Sequence, residues 1–283
     1  MADRVLAGLL YACALLAGAV VLVILVFLLI ESWPALLSIG PARFFSDASW
    51  HPASDLYNLL PMVWGTLFAA AGAVLIAAPM GLFAATFLQF YAPRAMARPF
   101  RRVLELMAGV PSVVYGFWGL VVLVPLIRDI SAPGTSLLAA ILVLTLMVLP
   151  TMALAADAAL AALPRQQLQA AAALGLSRAS TVLHVAFPAA RAGILTGGLL
   201  QAGRAVGETM AVMMVAGNVV QTPDSLFEPV RTLTANIALE MAYATGDHRA
   251  ALFVAGLILF AVSVALVLAA ERVSGAAKEP THA

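Results

Sequence analysis

Apolar residues dominate six stretches of the chain, at about 5–30, 60–90, 104–127, 136–163, 192–220 and 250–270. Each has the length of a bilayer crossing, which takes roughly 20 apolar residues at about 1.5 Å of rise each. The pattern predicts an all-α integral membrane protein, a single domain over 1–283 with six transmembrane helices and both termini on the same side. Val5–Ile30 is longer than the roughly 7–15 apolar residues of a secretory signal core, so it is read as a span and not as a cleaved leader.

The polar interruptions differ in kind. Residues 31–58 interleave Trp33, Phe44, Phe45, Trp50 and Tyr57 with Pro34, Pro41 and Pro52. That composition suits an aromatic belt at the membrane surface and a segment that is not one helix; anchoring and a docking surface both stand as readings. In LTANIALEMAYA, 233–244, Leu233, Ile237 and Met241 recur every four residues, predicting a short amphipathic helix too brief to span. The connection 164–191 contains QAAAALGLSRASTVLHVAFP. There an alanine-rich helix runs into Gly175, Ser177 caps a second helix, and Pro188 closes it. Such a corner serves either as a connector or as a knob for a partner.

Composition agrees with the pattern. Hydrophobic residues make up 63% of the chain and charged residues 10%, with a mean hydropathy of +1.02, against about a quarter charged in soluble domains. The net charge of +1 gives no reason to expect nucleic acid. Cys13 is the only cysteine, and the four histidines, His51, His184, His248 and His282, have no ligand spacing, so neither metal nor cofactor is assigned. The distribution of basic residues is more informative. With a cytoplasmic N-terminus the inner segments carry Arg4, Arg94, Arg98, Arg101, Arg102, Arg165, Arg178, Arg191, Arg272 and Lys278, ten in all, and the outer ones Arg43, Arg128, Arg231 and Arg249, four. The positive-inside rule then puts both termini, and the 164–191 loop, in the cytoplasm.

The fifteenth basic residue, Arg204, lies inside the fifth apolar run with Glu208 four positions on. A charge at the centre of a membrane helix costs from about 2.5 to above 10 kcal/mol, so it persists where it faces protein or water. Mutual neutralisation is one reading. Yet Arg before Glu at this spacing is the weaker helical order, worth only a few tenths of a kcal/mol. An anion site is the other reading. Arg presents a planar fork of donors to an oxyanion, and a carboxylate accepts from the hydroxyl that phosphate keeps near neutral pH, its second pKa as an ester being about 6. Glu208 then holds Arg204, tests the substrate for a proton, or both. Gly109 and Pro111 in the third run, and Pro79 and Pro150 elsewhere, are candidates for helix breaks or bends that line a pathway. Gly197, Gly198, Gly203 and Gly207 suit close helix packing or pathway lining alike. Glu105 and Asp157 are expected to pair with Arg101, Arg102 or Arg165 at the cytoplasmic end.

Gln169-Ala170-Ala171, Gly175 and Pro188 fall at the spacing of the Glu-Ala-Ala loop of ABC-importer permeases. With ESWPALLSIGPARFF, LMAGVPSVVYGFWGL and GRAVGETMAVMMVAGN, in matching order over nearly the whole chain, the sequence resembles the PstC family of phosphate permeases. That resemblance implies an ABC importer type I permease in the bacterial inner membrane. It implies a second permease subunit as heterodimeric partner, two copies of a cytoplasmic ATPase docking on Gln169, Ala170, Ala171, Gly175 and Pro188, and an extracytoplasmic phosphate-binding protein. Arg204 and Glu208 carry over as transport residues. Gln169 departs from the loop's Glu, so an ion pair that the acid would make with the ATPase does not carry over, while a hydrogen bond stays open to the amide. The only lysine, Lys278, is followed by Glu279, so no nucleotide-binding Gly-x-x-x-x-Gly-Lys-Ser/Thr loop is present and any ATP site belongs to another subunit. The alternatives are a self-contained secondary anion transporter or channel, a permease for sulfate or molybdate, or an assembly subunit of a membrane complex.

Overall fold

The computed structural model describes residues 2–276; Lys278, Glu279 and His282 lie outside them. In chain order the elements are α1 (Ala2–Ser38), α2 (Arg43–Ser46), a small hairpin of β1 (Trp50–His51) and β2 (Leu56–Tyr57), and α3 (Leu60–Thr86), prolonged by a π turn to Tyr91. Then come α4 (Arg94–Ala108), α5 (Ser112–Trp118), α6 (Val124–Arg128) and α7 (Leu137–Ala161). They are followed by α8 (Arg165–Ala173), α9 (Arg178–Thr181), α10 (Phe187–Val206), α11 (Met210–Val215), α12 (Leu233–Glu240) and α13 (Gly246–Ala276). Five helical stretches have the length and hydropathy of a crossing, and α4 with α5–α6 forms a bent apolar pair that brings the number to six if it is counted as one span.

The chain forms two compact units, one of residues up to Leu60 with Asn236–Ala261, the other of Pro61–Ala235 with Val262 onward. In the first unit, α1 meets α13 through an edge-to-face contact of Phe27 and Phe253 at 5.5 Å and an Arg249–Glu31 ion pair of 3.6 Å. The hairpin Trp50 is buried and donates from its indole to Glu240 Oε2 at 2.9 Å, the same oxygen that meets His248 Nε2 at 2.8 Å. Arg43 pairs with Asp47 at 3.1 Å, and this hydrogen bond, reinforced by the Tyr57 amide, holds the Asp47 carboxyl below the usual carboxylate range. Asn58 caps α3 by accepting from Leu60 N at 2.9 Å.

In the second unit α7 is the buried axis. Ser136 caps it, accepting from Ala139 N; α4, α5, α10 and α11 pack around it, and α3 approaches it closely at Gly72 against Ile141 and Gly81 against Met152. Small residues let α10 approach, with Gly193 against Ala159 and Gly197 against Ala155. At one end Asp157 is buried, paired with Arg101 at 2.6 Å and receiving Gln89 Nε2 at 2.6 Å, the pairing expected for it. That network answers the desolvation of a buried carboxylate.

Several expected boundaries change. The third run, 104–127, is not one helix: Ala95–Ala108 and Ser112–Arg128 meet at 89° across Gly109–Pro111. The fifth begins at Arg178 and ends at Val206, not 192–220, so half of the 164–191 loop is already helix. Pro188 does not close a helix. It sits in the first turn of α10 behind a π turn at Val182–Ala186, where its missing N–H leaves no gap that the widened turn does not absorb. α3 and α7 continue through Pro79 and Pro150 without a break. The helix expected over 233–244 is shorter, ending at Glu240.

Candidate functional site

Two helix interruptions lie in the second unit, each followed by a short helix that packs on the other. The first is Gly109–Pro111. Proline cannot supply the amide that would continue α4, and the residue before it is driven from helical angles. The Tyr115 hydroxyl reaches back over the turn to the Met107 carbonyl at 2.8 Å, tying α5 to the end of α4. The second is Gly207–Thr209. The Gly207 amide closes the last turn of α10 on Gly203 O at 3.2 Å, and Glu208 N bonds Ala205 O at 3.3 Å. The helix therefore stops between Arg204 and Glu208.

This break decides what the two charges do. Glu208 turns forward: its Oε1 accepts from Ala211 N at 3.1 Å, satisfying an open amide at the start of α11. Its carbonyl accepts from Thr234 Oγ1 at 3.0 Å. Oε2 has no hydrogen-bond partner among the described residues. Arg204 is exposed in the last turn of α10, where the carbonyl end of the helix favours a cation. Among the described residues no carboxylate lies within 4.0 Å of its guanidinium. Arg204 and Glu208 do not pair in this structure, because the helical turn that would stack them ends at Val206. The Arg204 charge is within electrostatic reach of Tyr115.

Packing joins the two breaks. A Cβ on Gly116 would stand 2.7 Å from Ala211 Cα and 3.1 Å from Met214 Sδ, so α5 and α11 touch nearly backbone to backbone. Beyond α11 the chain is pinned again. Asn218 adopts left-handed angles (φ 56°), its Nδ2 donates to Met213 O at 2.7 Å, and its carbonyl accepts from Arg231 Nε at 2.8 Å. Ser136 N bonds Val215 O at 3.1 Å, holding α11 to the start of α7. Of the pathway candidates, Gly109, Pro111 and Gly207 lie at the breaks, while Gly203 is a helix position with open space where a Cβ would sit. Tyr115, Thr234, Asn218 and the capping role of Glu208 were not legible in the sequence; Glu is a poor general cap, and the others depend on residues far away in the chain.

The loop residues form a separate feature. α8 ends in a Schellman closure, with Leu176 N on Ala171 O at 3.1 Å and Gly175 N on Ala172 O at 3.0 Å. Gly175 has φ +69°, and a Cβ at that position would meet nothing within 4 Å, so glycine is required by backbone angle alone. Ser177 Oγ caps α9 by accepting from Ser180 N at 3.2 Å. Leu174 and Leu176 are exposed on either side of the corner, with Gln169 and Ala170 exposed, Ala171 buried, and Pro188 exposed farther along.

Residues 77–277 match the profile of the family described as "Binding-protein-dependent transport system inner membrane component". The chain is 37% identical to the "Probable ABC transporter permease protein YqgH" of Bacillus subtilis, over 91% of this chain and 86% of that protein. It is 35% identical to the "Phosphate transport system permease protein PstC" of Mesorhizobium japonicum, over 90% and 86%. In fold it is similar to a chain of a solved bacterial ABC transporter for import of the acidic polysaccharide alginate, with a TM-score of 0.68, 14% identity, and 96% of each chain covered.

Proposed function

The chain belongs to the binding-protein-dependent transport system inner membrane component family, and from that premise we propose that it forms half of the pathway of an ATP-driven phosphate importer. The supporting observation is Arg204: an exposed guanidinium without a carboxylate partner among the described residues, at the junction of two interrupted helices. Broken helices whose polar ends face a pathway are a recurring way of presenting charge inside a membrane. Arg204 binds the phosphate through its fork of donors. The uncommitted Oε2 of Glu208 accepts from a phosphate hydroxyl, which fully ionised sulfate lacks. The partners are a second permease subunit, two copies of a cytoplasmic ATPase and an extracytoplasmic binding protein. The test is ATP hydrolysis by the co-purified complex, stimulated by phosphate-loaded binding protein; hydrolysis that responds equally to sulfate overturns the assignment.

The corner at Gly175 docks into the ATPase. Gly175→Val is expected to strain the left-handed turn by at least about 1–2 kcal/mol while leaving the spans untouched, so membrane levels hold and ATPase recovery on co-purification falls. Gly175→Asn, which tolerates these angles, is expected to retain most of it. Normal ATPase recovery and transport with Gly175→Val would make the corner a mere connector.

Both termini, α4 and the corner face the cytoplasm. Cysteines placed at the exposed positions Ala95 and Ala179, in a Cys13→Ala background, are expected to resist an impermeant thiol reagent in intact cells and to react after permeabilisation. Ready labelling of both from outside reverses the orientation.

A further inference from the structure

The phosphate pathway makes no use of α4, which differs from every spanning helix. It meets α5–α6 at 89°, and it packs on the last turns of α7 and on Leu88 beyond the end of α3, so α4 covers the end of the bundle that leads into α8. Its sequence, RAMARPFRRVLELMA, divides around the helix into three faces. Leu104 and Ala97 pack with Leu88 and Ala153 of the bundle. Met96, Phe100 and Val103 form an apolar face that is 55%, 36% and 50% exposed. Arg98 and Arg102 project on a third face.

Beside that third face is a cleft of about 230 Å³ lined by Ala97, Arg98, Arg101, Arg102 and Glu105. Arg101 is neutralised by Asp157 at 2.6 Å. Arg98 and Arg102 have no carboxylate within 4.0 Å among the described residues. Set against Glu105, they leave one net positive charge in the cleft. Asp157 also fixes the depth, since it lies one turn from the end of α7, at the end of the bundle that leads into α8.

We propose that α4 is an interfacial helix whose arginine cleft holds the phosphate of an anionic phospholipid. An amphipathic helix in the membrane plane buries an apolar face at the headgroup boundary and turns basic residues to the headgroups. The cleft's single net charge matches a phosphodiester, which carries one negative charge, better than doubly charged inorganic phosphate. The adjoining Met96, Phe100 and Val103 supply the hydrocarbon contact that only an amphiphile uses, and Glu105 accepts from a headgroup hydroxyl such as that of glycerol. Juxtamembrane arginines attract anionic lipid additively.

Native mass spectrometry of the permease purified in mild detergent, titrated with phosphatidylglycerol or phosphatidylcholine, tests this. Phosphatidylglycerol is expected to be retained preferentially, and Arg98→Gln with Arg102→Gln to lower that retention by about thirtyfold, the product of two such contacts. The corresponding double Lys variant is expected to keep most of the preference, which separates loss of charge from loss of fold. Millimolar inorganic phosphate is expected not to displace the lipid. A photo-reactive residue at Phe100, in the assembled complex in membranes, is expected to label lipid. Equal retention of the two lipids, unchanged retention by the double Gln variant, displacement by inorganic phosphate, or labelling of a protein partner at Phe100 would each overturn the proposal.

Discussion

Arg204→Gln is expected to abolish phosphate uptake while the protein inserts and assembles at normal levels. The side chain is exposed and has no carboxylate partner among the described residues, so its loss strands no buried charge. What disappears is a bidentate set of charge-assisted hydrogen bonds, worth about 1.5–3 kcal/mol each, or on the order of a hundredfold or more in the occupancy of the pathway. Arg204→Lys keeps a point charge without the fork and should retain a small residue of transport. Glu208→Gln probes the other half of the site. Its amide oxygen still caps Ala211, so α11 should survive, but the amide group replaces the acceptor that a phosphate hydroxyl requires. Phosphate transport should weaken, with discrimination against sulfate narrowed and that against arsenate, which is also protonated, little changed. The double variant Arg204→Gln with Glu208→Gln should stay inactive. Uptake restored by that pair, measured with labelled phosphate at matched protein levels, would return the two residues to a self-neutralising structural role.

Gly116→Leu is expected to be nearly as damaging from a position that touches no substrate. A Cβ there would stand 2.7 Å from the Ala211 Cα and 3.2 Å from its carbonyl, and backbone does not swing aside as a flexible side chain does. Overpacking of this kind costs about 1–3 kcal/mol and sometimes more. It also pushes on the residue whose amide Glu208 caps, so the site moves with the helix. Uptake should fall more than about tenfold even at matched protein levels, since about 1.4 kcal/mol of misplacement suffices for that, and the thermal midpoint should drop. Gly203→Ala is the control. That position has open space within a helix, where exchanging Gly for Ala gains about 0.5–1 kcal/mol. Wild-type uptake by Gly116→Leu would show that the α5–α11 contact does not set the site.

Hydropathy was enough to find the five spanning helices and the apolar run of the bent pair, because the length of an apolar run reflects the thickness of the hydrocarbon whatever the run packs against. The corner at Gly175 was equally legible, since a left-handed residue at a helix end is a local demand that glycine meets best. Arg204 and Glu208 stood out as charges in an apolar setting for the same reason. The interruptions were legible only in part: Gly109 and Pro111 marked a candidate break and Gly207 a candidate position, but a hydropathy average carries no direction, so neither the 89° bend nor the end of the fifth helix at Val206 could be read from it.

Everything about which groups meet came from the folded chain. Whether Glu208 faces Arg204 or Ala211 depends on where α10 ends, and that ending is supported by Thr234, 26 residues away. Asp157 finds Arg101 and Gln89 across three helices, and Trp50 finds Glu240 across 190 positions. Composition and periodicity are sums over neighbours in the chain, so they settle that a segment enters the membrane and where a local angle demands glycine. A hydrogen bond or an ion pair depends on distance in space, and its partner is chosen only when the helices pack.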